Sequence, residues 1–509
     1  MLHRMQNRIL FYNSISPLVF QIITIICGFI LPKLILTSFG SEVNGLVNSI
    51  SQFLGVIAFL ELGIGAVVKS SLYKPLANED YTSISEIICS ADKFFRKLGY
   101  LLLVYVIVMV IVYPAIVNQR FSFWFTASLI LAISVRSFAQ YFFGIVNRLL
   151  LVADQKAYIQ YNAQSLAVLL NTLACFLLIK MHCSVQSVYG MTSLIFFIQP
   201  LLIHLYVRKK YKINRRISYI GEPIKQKWNG IAQHISALVL DSSDIIIITI
   251  FSTLGDVSIY SIYMLVIKGI KQLCLSMING IQALIGRIWA QKDLDTLKQI
   301  FCWAEWTIHT FTVLIFSLTA VLIIPFIEIF TFSISDADYI QPKFAVLLVI
   351  ANSLYCLSLP YLMMILAASH YKQTQNKFIF SAAVNVLVSI FCLREFGLVG
   401  IAMGTFVAMV YQVVWMWEYT YNNLINLSLK DCIKQVMVDI IGFSMIYFVC
   451  NFFCSETANY FEWTLIAIKT TIIGIAISVA INYLFYKQFI VAVFKKIYIN
   501  ISGDNWRSE

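Results

Sequence analysis

Residues 237–250 read ALVLDSSDIIIITI, an apolar run of membrane grade with Asp241 and Asp244 set three apart inside it. An ionised Asp at the centre of a membrane helix costs roughly 2.5–3.5 kcal/mol on insertion scales. A chain that accepts this cost twice within one turn calls for a membrane around the run and a wet or charged surface beside it. The surroundings are as apolar as the run itself. The 509 residues are 60% hydrophobic and only 12% charged, with a mean hydropathy of +0.81. A soluble chain of this length needs far more charged surface, so the class is polytopic membrane protein.

The net charge of +12 is not a nucleic-acid signature. No Gly-rich phosphate loop, zinc spacing or basic-aromatic RNA-binding stretch accompanies it, so no nucleic-acid partner, metal or cofactor is expected. Eleven cysteines lie scattered, most of them in apolar runs (Cys27, Cys175, Cys274, Cys356, Cys450), with no CxxC pair. They read as small buried hydrophobes. The opening MLHRMQNRILFYNSIS is basic and leads into about twenty apolar residues without a small-residue cleavage site, the pattern of an uncleaved first span.

A span needs about 20 apolar residues. On that measure the sequence predicts an all-α fold of about fourteen transmembrane helices, near 14–36, 43–68, 98–117, 121–145, 158–179, 187–206, 230–251, 257–286, 303–332, 344–368, 378–393, 398–420, 438–454 and 464–486. With both termini in the cytoplasm, inner segments hold 28 of the 37 basic residues and outer segments hold 5. That asymmetry fixes the expected orientation, and an odd number of spans would spoil it. The largest basic block, RKKYKINRRISYIGEPIKQKW, reads as a positive-inside anchor on anionic lipid headgroups and as the boundary between two halves.

A faint repeat supports two halves. ILTSFGSEVNGL (35–46) aligns with IFSTLGDVSIYS (250–261), placing Gly40 over Gly255 at an offset of 215. NAQSLAVLLNTL (162–173) aligns with NKFIFSAAVNVL (376–387), placing Asn162 over Asn376 and Asn171 over Asn385 at an offset of 214. Six spans return the chain to its starting side, so the repeats are parallel bundles, a transporter architecture with the substrate path between lobes. The expected organisation is an N-terminal lobe over 1–210, a basic cytoplasmic linker over 211–229 and a C-terminal lobe over 230–425. Residues 426–509 add two further helices and a cytoplasmic tail.

Charged groups inside spans usually face a cavity or a partner. Arg136 lies about 22 Å below the outer end of the fourth span by helical rise. Lys268 and Lys271 share one face of the eighth at mid-depth. Together with Lys69 and with Arg287 at the cytoplasmic mouth, they read as a cationic lining for an anionic substrate. Asp241, Asp244 and Glu61 read as candidates for ion coupling. The competing structural reading is ion pairing within the bundle, Glu61 with Lys69 or Asp244 with Lys271. His234, near the start of the seventh span, reads as an ordinary interfacial residue. Trp415, Trp417, Tyr419 and Tyr421 read as an interfacial aromatic belt at the inner end of the twelfth.

Several stretches resemble polysaccharide flippases of the Wzx type, in the multidrug/oligosaccharidyl-lipid/polysaccharide exporter superfamily. ILPKLILTSFGSEVNGLVNSI and FLELGIGAVVKSSLYKPLA are similar to that family's first two spans, with Glu61, Leu62, Gly63 and Lys69 in its acidic-Leu-Gly and basic positions. DIIIITIFSTLGDVSIYSIY resembles its entry to the seventh span, with Asp244, Leu254, Gly255 and Tyr260 in place. VADQKAYIQYNAQSLAVLLN is similar to its entry into the fifth. The likeness covers roughly 10–420. Lys69 stands where many relatives carry Arg, and Lys268 and Lys271 have no family counterpart.

The resemblance implies a bacterial inner-membrane protein that moves an undecaprenyl-pyrophosphate-linked oligosaccharide, of O-antigen, lipopolysaccharide or capsule type, to the outer leaflet without hydrolysis. Partners would be that lipid-linked substrate, membrane lipids, H+ or Na+ as coupling ion, and polysaccharide polymerase machinery. The chemistry suits the residues, since Arg grips pyrophosphate bidentately and Lys supplies a point charge. No nucleotide-binding motif occurs, which leaves an ion gradient or the membrane potential as the energy source. A desolvated Asp or Glu is a suitable proton carrier. Two other readings stay open: a drug/cation antiporter, which favours an acidic aromatic cavity, and a membrane glycan polymerase, which needs a long outer loop or an acidic metal motif.

Overall fold

The computed structural model describes residues 2–57, 64–117, 120–215, 217, 231–454, 459–492 and 495, and among these it contains helices and no strand. The chain divides into two compact units, Met1–Ser261 and Ile262–Glu509.

The first unit holds α1 (Leu2–Gly55), α2 (Ile64–Ala77), α3 (Tyr81–Val117), α4 (Phe123–Ala139), α5 (Ile145–Ala153), α6 (Ala157–Lys180), α7 (Val185–Ile195), α8 (Ile198–Lys210) and α9 (Ile231–Phe251). A five-residue π-helical turn, Gln140–Gly144, joins α4 to α5. In α1 the regular helix breaks at Gly40, with φ 84° and ψ 173°. Glycine has no Cβ to oppose that positive φ, so the chain turns there without a loop. The first two expected spans are therefore limbs of one kinked element rather than helices joined by a turn over 37–42.

The segment 69–97, expected to be polar loop, is mostly helix. Ile84, Ile87, Ile88, Ala91 and Phe95 recur at helical spacing and are all buried, so an amphipathic stripe carries α3 well beyond its membrane span. Only a turn at 78–80 separates α2 from α3. Asp80 caps α3 by accepting the Ser83 hydroxyl and the Ser83 and Thr82 amides, which hold its carboxyl below the usual range. The start of the basic block is tied to the same end of the unit. Arg215 meets Asp92 at 3.1 Å and Asn147 at 2.6 Å, and the Asn214 amide donates to Ser85.

A long helix, α10 (Leu254–Gln291), begins in the first unit and continues into the second. The second unit adds α11 (Leu294–Thr331), α12 (Pro342–Leu357), α13 (Leu359–Ala367), α14 (Tyr371–Phe396), α15 (Leu398–Thr420), α16 (Leu429–Phe452) and α17 (Tyr460–Phe485). Within it α11 packs against α12, α16 and α17, while α14 and α15 form a tight antiparallel hairpin. That hairpin needs Gly400 and Gly404. A Cβ at these positions would fall 2.2 Å from the Cys392 carbonyl oxygen and 2.0 Å from Ser389 Oγ. Small residues one turn apart let the backbones approach, and packing replaces the hydrophobic effect that lipid cannot supply. Asn385 sits in the same contact and donates to Thr405 at 3.2 Å.

The outer faces are apolar. Val104, Ile107, Val108 and Ile111 stand exposed on α3, as do Ile440 and Phe448 on α16 and Leu465, Ile468 and Ile472 on α17. Water tolerates no such surface, and lipid does. Among the described residues twelve helices are long and apolar enough to cross a membrane, and the chain is a multi-pass integral membrane protein. Two features separate twelve from the expected fourteen. Phe11–Gly55, interrupted at Gly40, counts once, and of α9 only Ser242–Phe251 qualifies as a shorter apolar helix.

Candidate functional site

Arg136 lies in the last turn of α4, directly before the π-turn, and keeps accessible surface on its side chain. Its guanidinium carbon sits 3.8 Å from the centre of the Phe196 ring, a cation–π contact that holds the charge in place without neutralising it. Lys271 on α10 is half-buried, with Nζ 4.1 Å from the Tyr355 ring centre. Lys268, one turn earlier, is exposed, and so is Arg287 near the end of the same helix. Lys69 is half-buried on α2. Arg136 and Lys69 thus belong to the first unit, and Lys268, Lys271 and Arg287 to the second. Arg136 and Lys271 are thus cations laid on aromatic rings.

Of the acidic candidates, Asp244 is described in full. It is 3% exposed and accepts the Tyr260 hydroxyl at 2.7 Å. These two residues are 16 apart, on α9 and α10, and the hydrogen bond ties the hairpin between those helices. Asp244 is thereby at least partly architectural. The side chain of Asp241 and all of Glu61 lie outside the described residues, as does the side chain of His234.

Beside that hairpin a polar ladder joins it to the second limb of α1. Asn44 Nδ2 donates to Ser258 Oγ at 2.7 Å, and Ser49 Oγ lies 2.7 Å from Thr249 Oγ1. The Tyr113 hydroxyl, from α3, donates to Ser49 at 2.7 Å. Gly45 stands between these pairs, where a Cβ would fall 1.8 Å from the Leu254 carbonyl oxygen. Buried hydroxyls and amides matched in this way satisfy each other in a dry setting, and they leave each other equally well if water enters.

A second polar cluster, absent from the sequence reading, is buried within the second unit. His309 Nδ1 on α11 lies 2.6 Å from Asp439 Oδ2 on α16, and Gln435 Nε2 donates to Asp439 Oδ1 at 2.9 Å. One turn before His309, Glu305 accepts the Tyr361 hydroxyl at 2.7 Å and the Tyr421 hydroxyl at 3.0 Å. Tyr421 opens a π-helical turn at the end of α15. It and Trp415 are buried, Trp417 and Tyr419 are half-buried, and Tyr419 pairs with His370 at 2.7 Å. The readable signal was the spacing of Glu305 and His309, four apart on one helix face.

No protein-family model matches the chain, and no curated protein matches it. Solved structures do. The structure of the lipid II flippase MurJ in an inward closed conformation is 17% identical, with a TM-score of 0.68 over 94% of this chain and 99% of that one. A multidrug resistance MATE family transporter of the MOP superfamily, in an inward-facing conformation, is 16% identical, with a TM-score of 0.60 over 78% of this chain and 94% of that one. The Vibrio cholerae MATE transporter VcmN in its bent form is 11% identical, with a TM-score of 0.56 over 81% and 96%. The chain has the fold of these transporters.

Proposed function

We propose that the protein is a flippase that carries an undecaprenyl-pyrophosphate-linked oligosaccharide across the bacterial cytoplasmic membrane by alternating access, driven by an ion gradient or the membrane potential. The observation that carries this reading is the extent of the fold likeness. It takes in 94% of the chain against the lipid II flippase and 78% against the multidrug transporter. The difference is about the size of segment 426–509, which the internal repeat leaves outside both six-helix lobes. The basic side chains support the same reading. Arg136, Lys268 and Lys271 are intramembrane cations, suited to a pyrophosphate and unsuited to a cationic drug.

In this reading fourteen spans result from counting the two limbs of α1 and the whole of α9 separately, and both termini are cytoplasmic. The lobes that move are those of the repeat, 1–210 and 230–425. Packing of the α9–α10 hairpin on α1 is then a contact made in one half of the cycle. Arg136, Lys268, Lys271, Lys69 and Arg287 bind substrate, while Asp241, Asp244 and Glu61 are the coupling candidates read from sequence.

The test is genetic and biochemical. Deleting the gene is expected to trap undecaprenyl-linked oligosaccharide on the inner leaflet, and Arg136→Ala is expected to abolish surface glycan at normal protein level. Unaffected surface glycan together with raised drug sensitivity refutes the flippase in favour of the antiporter.

A further inference from the structure

Glu305, His309 and Asp439 are 6%, 2% and 8% exposed, inside a unit whose outer surface faces lipid. Among the described residues, polar groups from several elements surround them. From α11 itself come Glu305 and His309; from α13, Tyr361; from the turn after α15, Tyr421; from α16, Gln435 and Asp439; and the Leu357 main chain of α12 borders the imidazole. Two cations, Lys434 and Lys487, line the cavity that Glu305 also lines, Lys434 with its Nζ 4.3 Å from the Tyr486 ring centre. Two carboxylates and a neutral imidazole would place two negative charges on groups that are each less than a tenth exposed, which desolvation opposes. The cluster therefore holds at least one proton, and a second makes it neutral. Protons gained and lost here belong to the group of three rather than to any one residue.

Two spaces adjoin the cluster. A cavity of about 500 Å³ is lined by Glu305, Gln435, Tyr421 and Lys434 at the basic end of these helices. On the far side, Asp439 borders a pocket of about 10 Å³ with Thr310, Ser478 and Asn482, room for about one water among polar partners. Glu305 accepts from two tyrosine hydroxyls, and a hydroxyl can turn to accept instead, so a proton arriving on this carboxylate finds a partner at once. Among the described residues no three His, Cys, Asp or Glu side chains are placed to hold a metal ion.

We propose that Glu305, His309 and Asp439 form a proton-binding site, loaded from the 500 Å³ cavity, that couples proton movement to transport. The site differs from the coupling residues read from sequence, and it lies partly on α16, outside the internal repeat. Its coupling role rests on the transport reading above; its proton binding does not.

The experiment has two arms. In purified full-length protein, a pH-difference infrared spectrum between about pH 5 and pH 8 is expected to show a protonated carboxyl that Glu305→Gln removes. His309→Gln and Asp439→Asn are expected to shift its midpoint by about one pH unit or more. Exchanging potassium for sodium should leave the midpoint in place. Overturning results are a spectrum unchanged by all three variants in protein that still elutes intact, or a midpoint that follows sodium. In cells, Glu305→Gln and Asp439→Asn are expected to lower surface glycan at least about tenfold at wild-type protein level, by analogy with loss of other membrane proton relays. Normal glycan in variants that have lost the infrared signal overturns the coupling role. If gene deletion itself leaves glycan intact, the transport reading fails while the infrared arm still decides the proton site.

Discussion

Gly45→Ala probes the packing of the α9–α10 hairpin on α1. The added Cβ falls 1.8 Å from the Leu254 carbonyl oxygen and 2.7 Å from its carbon. Real Cβ contacts stop at about 3.0 Å, so the two backbones must part by about 1.2 Å. The flanking hydrogen bonds, Asn44–Ser258 and Ser49–Thr249, each 2.7 Å, stretch to about 3.9 Å and are lost. Overpacking costs about 1–3 kcal/mol, and each lost bond between membrane helices adds about 0.6 kcal/mol. The packed arrangement is then disfavoured by about 2–4 kcal/mol, roughly 30- to 700-fold. Val257, on the first turns of α10 and next to Ser258, is fully buried and is the position chosen for a reporter thiol. In the Gly45→Ala background, Val257→Cys is expected to react with a membrane-impermeant maleimide at least about 30-fold faster than in the parent. Equal labelling rates in the two backgrounds would refute the claim that backbone proximity at Gly45 holds this contact shut.

Two further substitutions test packing and the first site. Gly404→Ala is expected to lower the thermal midpoint of the detergent-purified protein, because its Cβ meets Ser389 Oγ at 2.0 Å and Ser389 N at 2.7 Å; the cost is about 1–3 kcal/mol. Gly190→Ala, with nothing within 4 Å, should leave the midpoint where it is, and equal effects of the two would contradict the close-packed hairpin. Tyr260→Phe removes the hydroxyl that donates to buried Asp244. It is expected to cost about 1–2 kcal/mol, at the upper end for membrane hydrogen bonds because the acceptor is a carboxylate; unchanged thermal stability would show that the bond does not tie α9 to α10.

Much of the fold is legible in hydropathy because lipid imposes length and polarity on each span separately. What hydropathy does not report is how far a helix continues past the membrane, and α3 shows this. Its first four turns carry Glu86, Asp92, Lys93 and Arg96 among buried Ile87, Ile88 and Phe95, a stripe that packing turns into helix while a window average reads as loop. Gly40 is the opposite case. The sequence marks this glycine as a turn between two spans, and φ of 84° at one residue stands in place of the expected loop. The pairing of Asp244 with Tyr260 was half legible. Both residues stood in the motif, and the tight hairpin brings them together across a separation of 16.

The proton cluster shows where reading by span goes wrong. Glu305 and His309 fall within seven residues of the expected start of the ninth span, and Asp439 falls at the start of the thirteenth. Polar groups at span ends are ordinary, since they reach headgroups and water. The structure begins those helices earlier, at Leu294 and Leu429, so each acidic or imidazole group sits nine or more residues inside its helix. There it faces other helices rather than an interface. Burial of all three then follows from helix length, a quantity set by the amphipathic turns outside the apolar window. His309 and Asp439 are 130 residues apart, and no local pattern joins them. Only the packing of α16 on α11 does, which gives this helix outside the repeat a chemical reason to be there.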